Sequence, residues 1–383
     1  MIYKFGGSER KKTKTGDRKS EKMKTNSPPF IHEELMEEIL LKLLTKSVLR
    51  FKCLSKKWFS RISDPQFARR HFDAAVAPTY KLLNLVKGSD EAYCVDIESA
   101  LCADSWHAVS NFSVPSSLSV AGSCRGFLLL QIYFQNFVVW NPSTGIQKQI
   151  LRNTCVQYDL CGMGYDPVDD DIVVVTVTLK GGRYNNTLVR YFSLRKNCWS
   201  SVECGISYAR PYFGCNLRHG QFWNGALYWI VASANRLRSV VIAFDVREKR
   251  LLEILLPDHL AIIQMESDIY HLKVMGEYLY LCLESCNQNL RIEIWSMKEY
   301  KQETFWTKTF VFLFNSRDLV NLIFPTCFTK NGEILALSNS NRLVKINKKG
   351  KLRYWMHSIS DILSCDMYRE SFLSLPSNSG EIK

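Results

Sequence analysis

The sequence predicts a mainly β protein: a β-propeller of about six blades, preceded by a small all-α segment and a basic tail. After about residue 80 the chain consists of short apolar segments broken by Gly, Asn, Asp and Pro. A strand-and-turn pattern recurs among these segments at a nearly constant interval. Before them, residues 31–72 carry the three- and four-residue spacing of amphipathic helices. The predicted divisions are a disordered tail at 1–28, a helical domain at 29–75 and a propeller at 76–379.

The propeller prediction rests on an apolar strand that ends in Asp, Asn or Ser and leads into a polar turn. The six instances end at Asp96, Asn141, Ser193, Asp245, Ser296 and Asn347, at intervals of 45, 52, 52, 51 and 51 residues. One such unit cannot bury both of its faces alone, so the repeat predicts a ring of stacked, kelch-like blades. We expect the segment from Asp366 to Leu375 to supply a strand that closes the ring against the first blade.

A second landmark in the repeat is a glycine directly before an apolar strand. It occurs at Gly126, Gly225, Gly276 and Gly332. Together with the strand ends, this landmark indicates four-stranded units that repeat at intervals near 50 residues.

The segment before the propeller reads as several short helices. Apolar residues recur at helical spacing from Leu35 to Leu44, after acidic residues that suit a helix N-terminus. Thr45 and Ser47 are predicted to cap a second helix, and Asp64-Pro65 to begin the last one. About 40 residues are too few to form a stable domain alone. The apolar face must therefore be covered by the rest of the chain or by a partner.

Composition points to a folded protein without a membrane anchor. The 383 residues are 46% hydrophobic, yet no apolar run approaches the roughly 18 residues of a membrane helix, and the first residues lack a secretory signal. We expect a soluble protein of the nucleus, the cytoplasm or both, with no membrane partner. The 13 cysteines include no CxxC pair, so no metal site is predicted and free thiols in a reducing compartment are favoured.

The net charge of +13 divides unevenly along the chain. Residues 1–28 hold nine Lys or Arg against three acids, which is +6, and leave +7 for the other 355 residues. Such a tail fits either a nuclear-import or nucleic-acid patch or a solvated extension, and we favour the extension. A nucleic-acid partner is therefore not predicted.

No pattern of catalytic residues is recognisable. The acids at Asp166, Asp169, Asp170 and Asp171 lack the alternation and glycine of a calcium loop, and are interpreted as a solvated turn. The seven histidines are dispersed, and no phosphate-binding or nucleophile motif occurs. No cofactor and no catalytic residue are predicted. A propeller enzyme whose site is assembled from loops of several blades remains an alternative.

One loop region is rich in residue types that anchor protein interfaces. Tyr208, Arg210 and Tyr212 lie between the third and fourth units, and we predict that they contact a partner. The nearby Phe222 and Trp223 are instead predicted to pack between blades.

Both parts of the chain resemble parts of plant F-box proteins. Glu33-Glu34-Leu35, Lys46 to Cys53, Ser55 to Trp58 and Ile62 to Phe67 resemble the F-box. Trp140 to Gly145, Gly164 to Pro167 and Asn224 to Trp229 are similar to the F-box-associated interaction domain, as are Cys124-Arg-Gly and Asn331 to Leu335. The two resemblances together cover about residues 31–375.

The resemblance implies a non-catalytic role in a ubiquitin ligase. The F-box would dock on a Skp-family adaptor, and through it on cullin and RING subunits, while the propeller would bind the protein to be ubiquitinated. By analogy with the F-box, the expected adaptor contacts are Ile31, Leu35, Ile39, Leu43, Leu49, Cys53, Lys56 and Trp58. The alternative is a propeller enzyme or binding scaffold that acts outside a ubiquitin ligase.

Two positions depart from the F-box pattern. The family usually has Pro at the position of His32 and again at that of Leu44. Proline would stiffen both ends of the first helix, so its absence predicts weaker adaptor binding.

Overall fold

A computed structural model describes most of the chain. The described residues are 32–75, 80–86, 91–96, 110–113, 118–132, 136–151, 159–179, 186–209, 218–235, 237–261, 269–286, 290–297, 306–314, 323–329, 331–338, 343–354 and 362–376. The basic tail at 1–28, Ile31, Arg210 and Tyr212 lie outside them. The chain divides into two compact units, residues 1–40 and residues 41–383.

Within the described residues, four helices precede the first strand. They are α1 (Glu33–Lys42), most of which belongs to the first unit, and α2 (Thr45–Phe51), α3 (Lys56–Ser63) and α4 (Pro65–Ala74) in the second unit. No helix in the described ranges is long and apolar enough to cross a membrane.

The beginnings of α3 and α4 are fixed by local capping. The Ser55 hydroxyl accepts a hydrogen bond from the Trp58 amide at 3.2 Å, and the Asp64 carboxylate accepts one from the Gln66 amide at 3.0 Å. Pro65 occupies the first helical position, as predicted. The prediction for α2 was wrong: Leu44 is the N-cap residue and gives no side-chain cap, while Thr45 is already helical and donates to the distant Glu370 carbonyl.

Six β-sheets of mainly four strands follow in the described part of the chain. Blade 1 consists of β25–β1–β2–β3 (Ile362–Arg369, Tyr80–Val86, Glu91–Asp96, Ser110–Ser113), and blade 2 of β4–β7 (Leu118–Cys124, Phe127–Ile132, Asn136–Trp140, Gln147–Ile150). Blade 3 consists of β8–β11 (Leu160–Asp166, Asp171–Thr178, Thr187–Ser193, Cys198–Cys204), and blade 4 of β12–β16 (Tyr208–Ala209, Gln221–Trp223, Ala226–Ser233, Ser239–Asp245, Arg250–Ile254). Blade 5 consists of β17–β20 (Ile269–Met275, Tyr278–Cys286, Leu290–Met297, Trp306–Phe314), and blade 6 of β21–β24 (Ile323–Phe328, Ile334–Ser338, Leu343–Ile346, Leu352–Tyr354). A one-turn helix, α5 (Asp258–Ala261), lies between blades 4 and 5.

The sequence repeat is confirmed at the level of individual strands. In blade 4, β12 and β13 both pair with β14 and together take the place of the first strand. Each of the six predicted strand ends then belongs to the third strand of its blade or directly follows it. The four landmark glycines all lie between the first and second strands, in blades 2, 4, 5 and 6, and all have positive φ angles, from 63° at Gly276 to 82° at Gly126. The constant interval in the sequence therefore corresponds to one blade.

The ring is closed by pairing the end of the chain with its beginning. β25 pairs antiparallel with β1 from Tyr80↔Arg369 to Val86↔Ile362, and so completes blade 1 as its first strand. The predicted closure is confirmed, although the strand lies earlier than expected, since residues 370–376 continue beyond it without regular structure.

The hydrophobic core lies between neighbouring blades. One cluster joins blade 1 to blade 2, and further clusters join blades 3 and 4, 4 and 5, and 5 and 6. Trp223 is buried and donates from its indole nitrogen to the Glu277 carbonyl of the next blade at 2.8 Å, while Phe222 is partly buried against the cluster of blades 3 and 4. Both aromatic residues pack between blades, as predicted.

The acidic turn between β8 and β9 is not a solvated turn throughout, and this interpretation was wrong for two residues. Asp166 and Asp171 are buried. Asp166 accepts from the Lys249 ammonium at 3.2 Å, and Asp171 accepts from the Arg195 amide at 2.8 Å. These carboxylates hold turns of the propeller together.

Candidate functional site: exposed helical residues and the joint with the propeller

The first unit exposes apolar side chains on α1. Leu35 and Ile39 are four residues apart, so they lie on the same side of the helix, and they are 54% and 46% exposed. Large apolar side chains that remain this exposed on one helix face indicate a surface that a partner covers. Both were predicted as adaptor contacts.

The second unit exposes a further set of apolar residues. Leu54, between α2 and α3, is 66% exposed, and Phe59 on α3 is 57% exposed. Leu44 is also exposed, and its φ of −62° is an angle that proline would adopt. None of these three residues was predicted as an adaptor contact. A signal was available for Leu54, because a large apolar residue in a short link between helices is unusual unless something covers it.

The other predicted adaptor contacts differ in exposure. Cys53 and Lys56 are exposed, whereas Leu43, Leu49 and Trp58 are half-buried. Lys52 lies over the Phe59 ring at 5.9 Å, and burial lowers the pKa of its ammonium group. The exposed residues of this unit thus combine apolar side chains with cationic ones.

The predicted partner contact at Tyr208 has a different environment from the expected one. Tyr208 is buried, and its hydroxyl donates to the Glu253 carboxylate at 2.8 Å. Burial and this hydrogen bond raise the pKa of its phenol. Tyr208 is therefore part of the core around blades 3 and 4 rather than an exposed ring.

The helices α2–α4 pack on one end of the propeller. β4, β8 and β25 are the first strands of blades 2, 3 and 1, so they run in the same direction along the central axis of the ring. Their C-terminal ends therefore lie at the same end of it, and each leads into a segment that contacts α2–α4. We call these contacts the joint: Arg125, Asp170 and residues 369–373 of the propeller with α2–α4.

The central contact of the joint is the ring of Phe72, at the end of α4. The guanidinium groups of Arg369 and Arg125 lie 3.8 Å and 4.9 Å from its centroid. Arg369 also donates to the Phe72 carbonyl, and Arg125 pairs with Asp73 at 3.2 Å. Cation–π attraction and these polar contacts hold the end of α4 between two blades. Burial lowers the pKa of the Arg369 guanidinium.

A second contact joins α4 to blade 3. Arg69 pairs with the Asp170 carboxylate at 2.8 Å. Asp170 also accepts from Arg195 at 3.1 Å and from the Tyr165 hydroxyl at 2.8 Å. Burial, with this hydrogen bond to Asp170, raises the pKa of Tyr165 to about 12. The carboxylate that pairs with Arg69 is thus also held in place by two residues of its own blade.

The third contact is made by residues 370–373, which continue from β25. The Phe372 ring packs against His71 and Phe67, with centroid distances of 4.8 Å and 6.1 Å. The Glu370 carbonyl accepts from Thr45 at 3.4 Å, and its carboxylate forms an ion pair with Lys81, in which both side chains are nearly buried. This segment therefore contacts both α2 and α4.

Blade 2 holds the same segment from the other side. The Asn141 side chain is fully buried and donates to the carbonyls of Ser371 and Leu373 at 3.1 Å and 3.3 Å. Ser371 donates in turn to the Arg125 carbonyl at 3.1 Å. Two sequence motifs that the resemblance singled out, Cys124-Arg-Gly and Asn-Pro-Ser-Thr-Gly, are thereby explained, since both fix residues 370–373.

The described residues contain no group of three or more His, Cys, Asp or Glu side chains placed to hold a metal ion. The features that stand out are instead exposed apolar helix residues and a propeller joined to α2–α4. This combination defines the class: a protein that joins a small helical segment to a β-propeller.

Comparison with known proteins identifies the family. The F-box domain model matches residues 31–70, and the F-box associated beta propeller domain model matches residues 85–372. The chain therefore belongs to the F-box proteins with an F-box-associated β-propeller.

Relatives at low identity extend along most of the chain. The F-box protein CPR1 of Arabidopsis thaliana is 27% identical over 309 residues, which cover 72% of this chain and 71% of the relative. An F-box/kelch-repeat protein of the same plant is 25% identical over 373 residues, which cover 91% of this chain and 96% of the relative.

Proposed function

We propose that this protein is the substrate-recognition subunit of an SCF-type cullin–RING E3 ubiquitin ligase. Its F-box docks on a Skp-family adaptor, and through it on the cullin and RING subunits. Its propeller binds the protein to be ubiquitinated. Ubiquitin transfer is carried out by the partner subunits, so this chain acts by holding its substrate close to the ubiquitin-charged enzyme.

The observation that carries the proposal is the exposure of F-box apolar residues in a chain whose propeller closes by itself. Pairing of β25 with β1 completes the ring without help from α1. Leu35 and Ile39 therefore remain free to be covered by another protein. In the second unit Leu54 and Phe59 are exposed in the same way and extend the proposed adaptor contacts beyond Leu43, Leu49, Cys53, Lys56 and Trp58.

The test is co-purification with a recombinant Skp-family adaptor. We expect Leu35→Asp with Ile39→Asp to lower adaptor affinity at least 100-fold, because two charges would enter an apolar interface. The matched control is Leu237→Asp with Leu255→Asp, which places the same charges on two exposed leucines of blade 4. The control should bind the adaptor like the wild-type chain.

Thermal unfolding of both variants verifies that the propeller remains folded. Adaptor binding that survives Leu35→Asp with Ile39→Asp would rule out the proposed docking. As a ligase subunit the chain is expected in the nucleus, the cytoplasm or both, which imaging of the tagged chain checks.

A further inference from the structure

The joint anchors α2–α4 to three blades at once. Phe72 lies between Arg125 of blade 2 and Arg369 of blade 1, and Arg69 reaches Asp170 of blade 3. Successive blades follow an arc around the ring, so these three anchors do not lie on one line. Three anchors in such an arrangement fix the orientation of a body as well as its position.

The anchoring residues on the propeller are also held by contacts within the propeller itself. Asp170 is bound by Arg195 and Tyr165 of its own blade. Residues 371–373 are buried, and Asn141 of blade 2 binds the carbonyls on both sides of Phe372. Because the propeller residues of the joint are preorganised in this way, they restrict the positions that the bound helices α2–α4 can adopt.

We propose that Arg69, Arg125 and Arg369 are positioning residues, which hold α2–α4 in one orientation on the propeller and so determine which lysines receive ubiquitin. This inference rests on the proposed function. A bound adaptor places the ubiquitin-charged enzyme at a set position relative to the F-box. Only lysines at a matching position on the propeller side are then reached, because effective concentration depends on geometry.

The first experiment measures the joint without any partner. Nitroxide labels are placed on Cys53, beside α3, and on Cys198, in blade 3, both of which are exposed, in a chain whose other label-reactive cysteines are replaced by serine. The distribution of label distances is recorded by pulsed electron paramagnetic resonance. We expect the triple variant Arg69→Gln, Arg125→Gln, Arg369→Gln to widen the distribution at least twofold.

The matched control changes the same number of charges away from the joint. Arg238→Gln, Arg247→Gln and Arg250→Gln lie on blade 4, where each arginine is exposed. This control should keep the wild-type distribution. If the triple joint variant fails to fold, Arg369→Gln alone is used, since this residue makes both a ring contact and a hydrogen bond to Phe72. An unchanged width in a folded joint variant would overturn the proposal.

The second experiment uses a reconstituted ligase with the adaptor, a cullin, a RING subunit and a ubiquitin-charged enzyme. The probe is the chain itself, and mass spectrometry maps which of its own lysines carry ubiquitin. We expect the joint variant to bind the adaptor within twofold of the wild-type affinity but to spread ubiquitin over at least twice as many lysines. An unchanged set of modified lysines, with adaptor affinity intact, would overturn the positioning role.

The two experiments separate this inference from the proposed function. If the wild-type chain does not bind the adaptor, the proposed function fails, and with it the part of the inference that concerns ubiquitin. The label distances do not depend on the adaptor, so they still decide whether the arginines fix α2–α4.

Discussion

His271 is a buried histidine whose ring nitrogens meet no hydrogen-bonding group among the described residues. It lies on β17, paired with Cys282, and its ring meets the edge of Phe324 from blade 6 at 5.4 Å. Burial, together with the positive charge of Lys273, lowers the pKa of this imidazole to about 3. The side chain therefore folds in its neutral form.

This histidine should make the protein sensitive to mild acid. Below its ordinary pKa of about 6.5 the unfolded chain binds a proton that the folded chain does not bind until about pH 3, so the free energy of unfolding falls as pH falls through that range. We expect His271→Leu to lose this part of the pH dependence. As the pH falls from 7 to 5, the free energy of unfolding of this variant should rise by about 2 kcal/mol relative to that of the wild type.

Urea unfolding at a series of pH values measures the effect. His259→Leu is the control, because that side chain is exposed. Parallel pH profiles for wild type and His271→Leu would show that His271 is protonated equally in both states.

At the scale of single residues, local sequence patterns predicted which residues share a helix face better than which side chains are buried. Leu35 and Ile39 were predicted as adaptor contacts because helical spacing and family resemblance both point to them, and both side chains are exposed. The burial of Tyr208 and Asp166 was not predicted, because Tyr208 is bound by Glu253, 45 residues further along the chain in the same blade, and Asp166 is bound by Lys249 of another blade. Such long-range contacts leave no local pattern.

At the scale of elements, two turns of the same kind allow a direct comparison. Arg125-Gly126 and Asn224-Gly225 each join the first strand of a blade to its second, and all four residues have positive φ. A Cβ on Gly126 would lie 2.1 Å from the Ser371 hydroxyl and 2.9 Å from the Arg369 carbonyl, whereas one on Gly225 would meet nothing within 4 Å. The first turn therefore needs glycine both for its positive φ and for lack of space, whereas the second needs it only for its positive φ.

We expect Gly225→Ala to lower the free energy of unfolding by about 1 kcal/mol, the cost of a side chain at positive φ. Gly126→Ala should cost a further 1–3 kcal/mol or so, because residues 369–371 must also shift. Urea unfolding of the two variants measures the difference. Equal losses in both would mean that the segment after β25 is not held against this turn.

The elements themselves followed largely from local chemistry. The cap at Asp64, the landmark glycines and the ends of the third strands are encoded within a few residues, and all were predicted. The Ser55 cap is equally local but was not predicted, and the start of α2 was predicted wrongly. The exception has a physical reason. Thr45 has the composition of a cap residue, but its hydroxyl binds Glu370, which lies 325 residues away.

At the scale of the whole molecule, the ring was predictable and the joint was not. The repeat interval specifies blades that cannot be stable singly, and this requirement leads to a closed ring. The joint combines α4, two turns and residues 369–373, which are far apart in the sequence. No periodicity connects them, so the arrangement of Arg125 and Arg369 around Phe72 could only be found in the structure.

The end of the chain thus serves both closure and docking, which leads to a prediction about truncation. β25 supplies the first strand of blade 1, and residues 370–373 support α2 and α4. A chain that ends at residue 361 would leave β1 as an open edge and remove Phe372 from the joint. We expect it to lose cooperative thermal unfolding and to aggregate through that edge. A chain that ends at residue 376 keeps every one of these contacts and should unfold like the full-length protein. Scanning calorimetry and size-exclusion chromatography of both truncations measure this, and a single sharp transition in the shorter chain would show that the ring is stable without its closing strand.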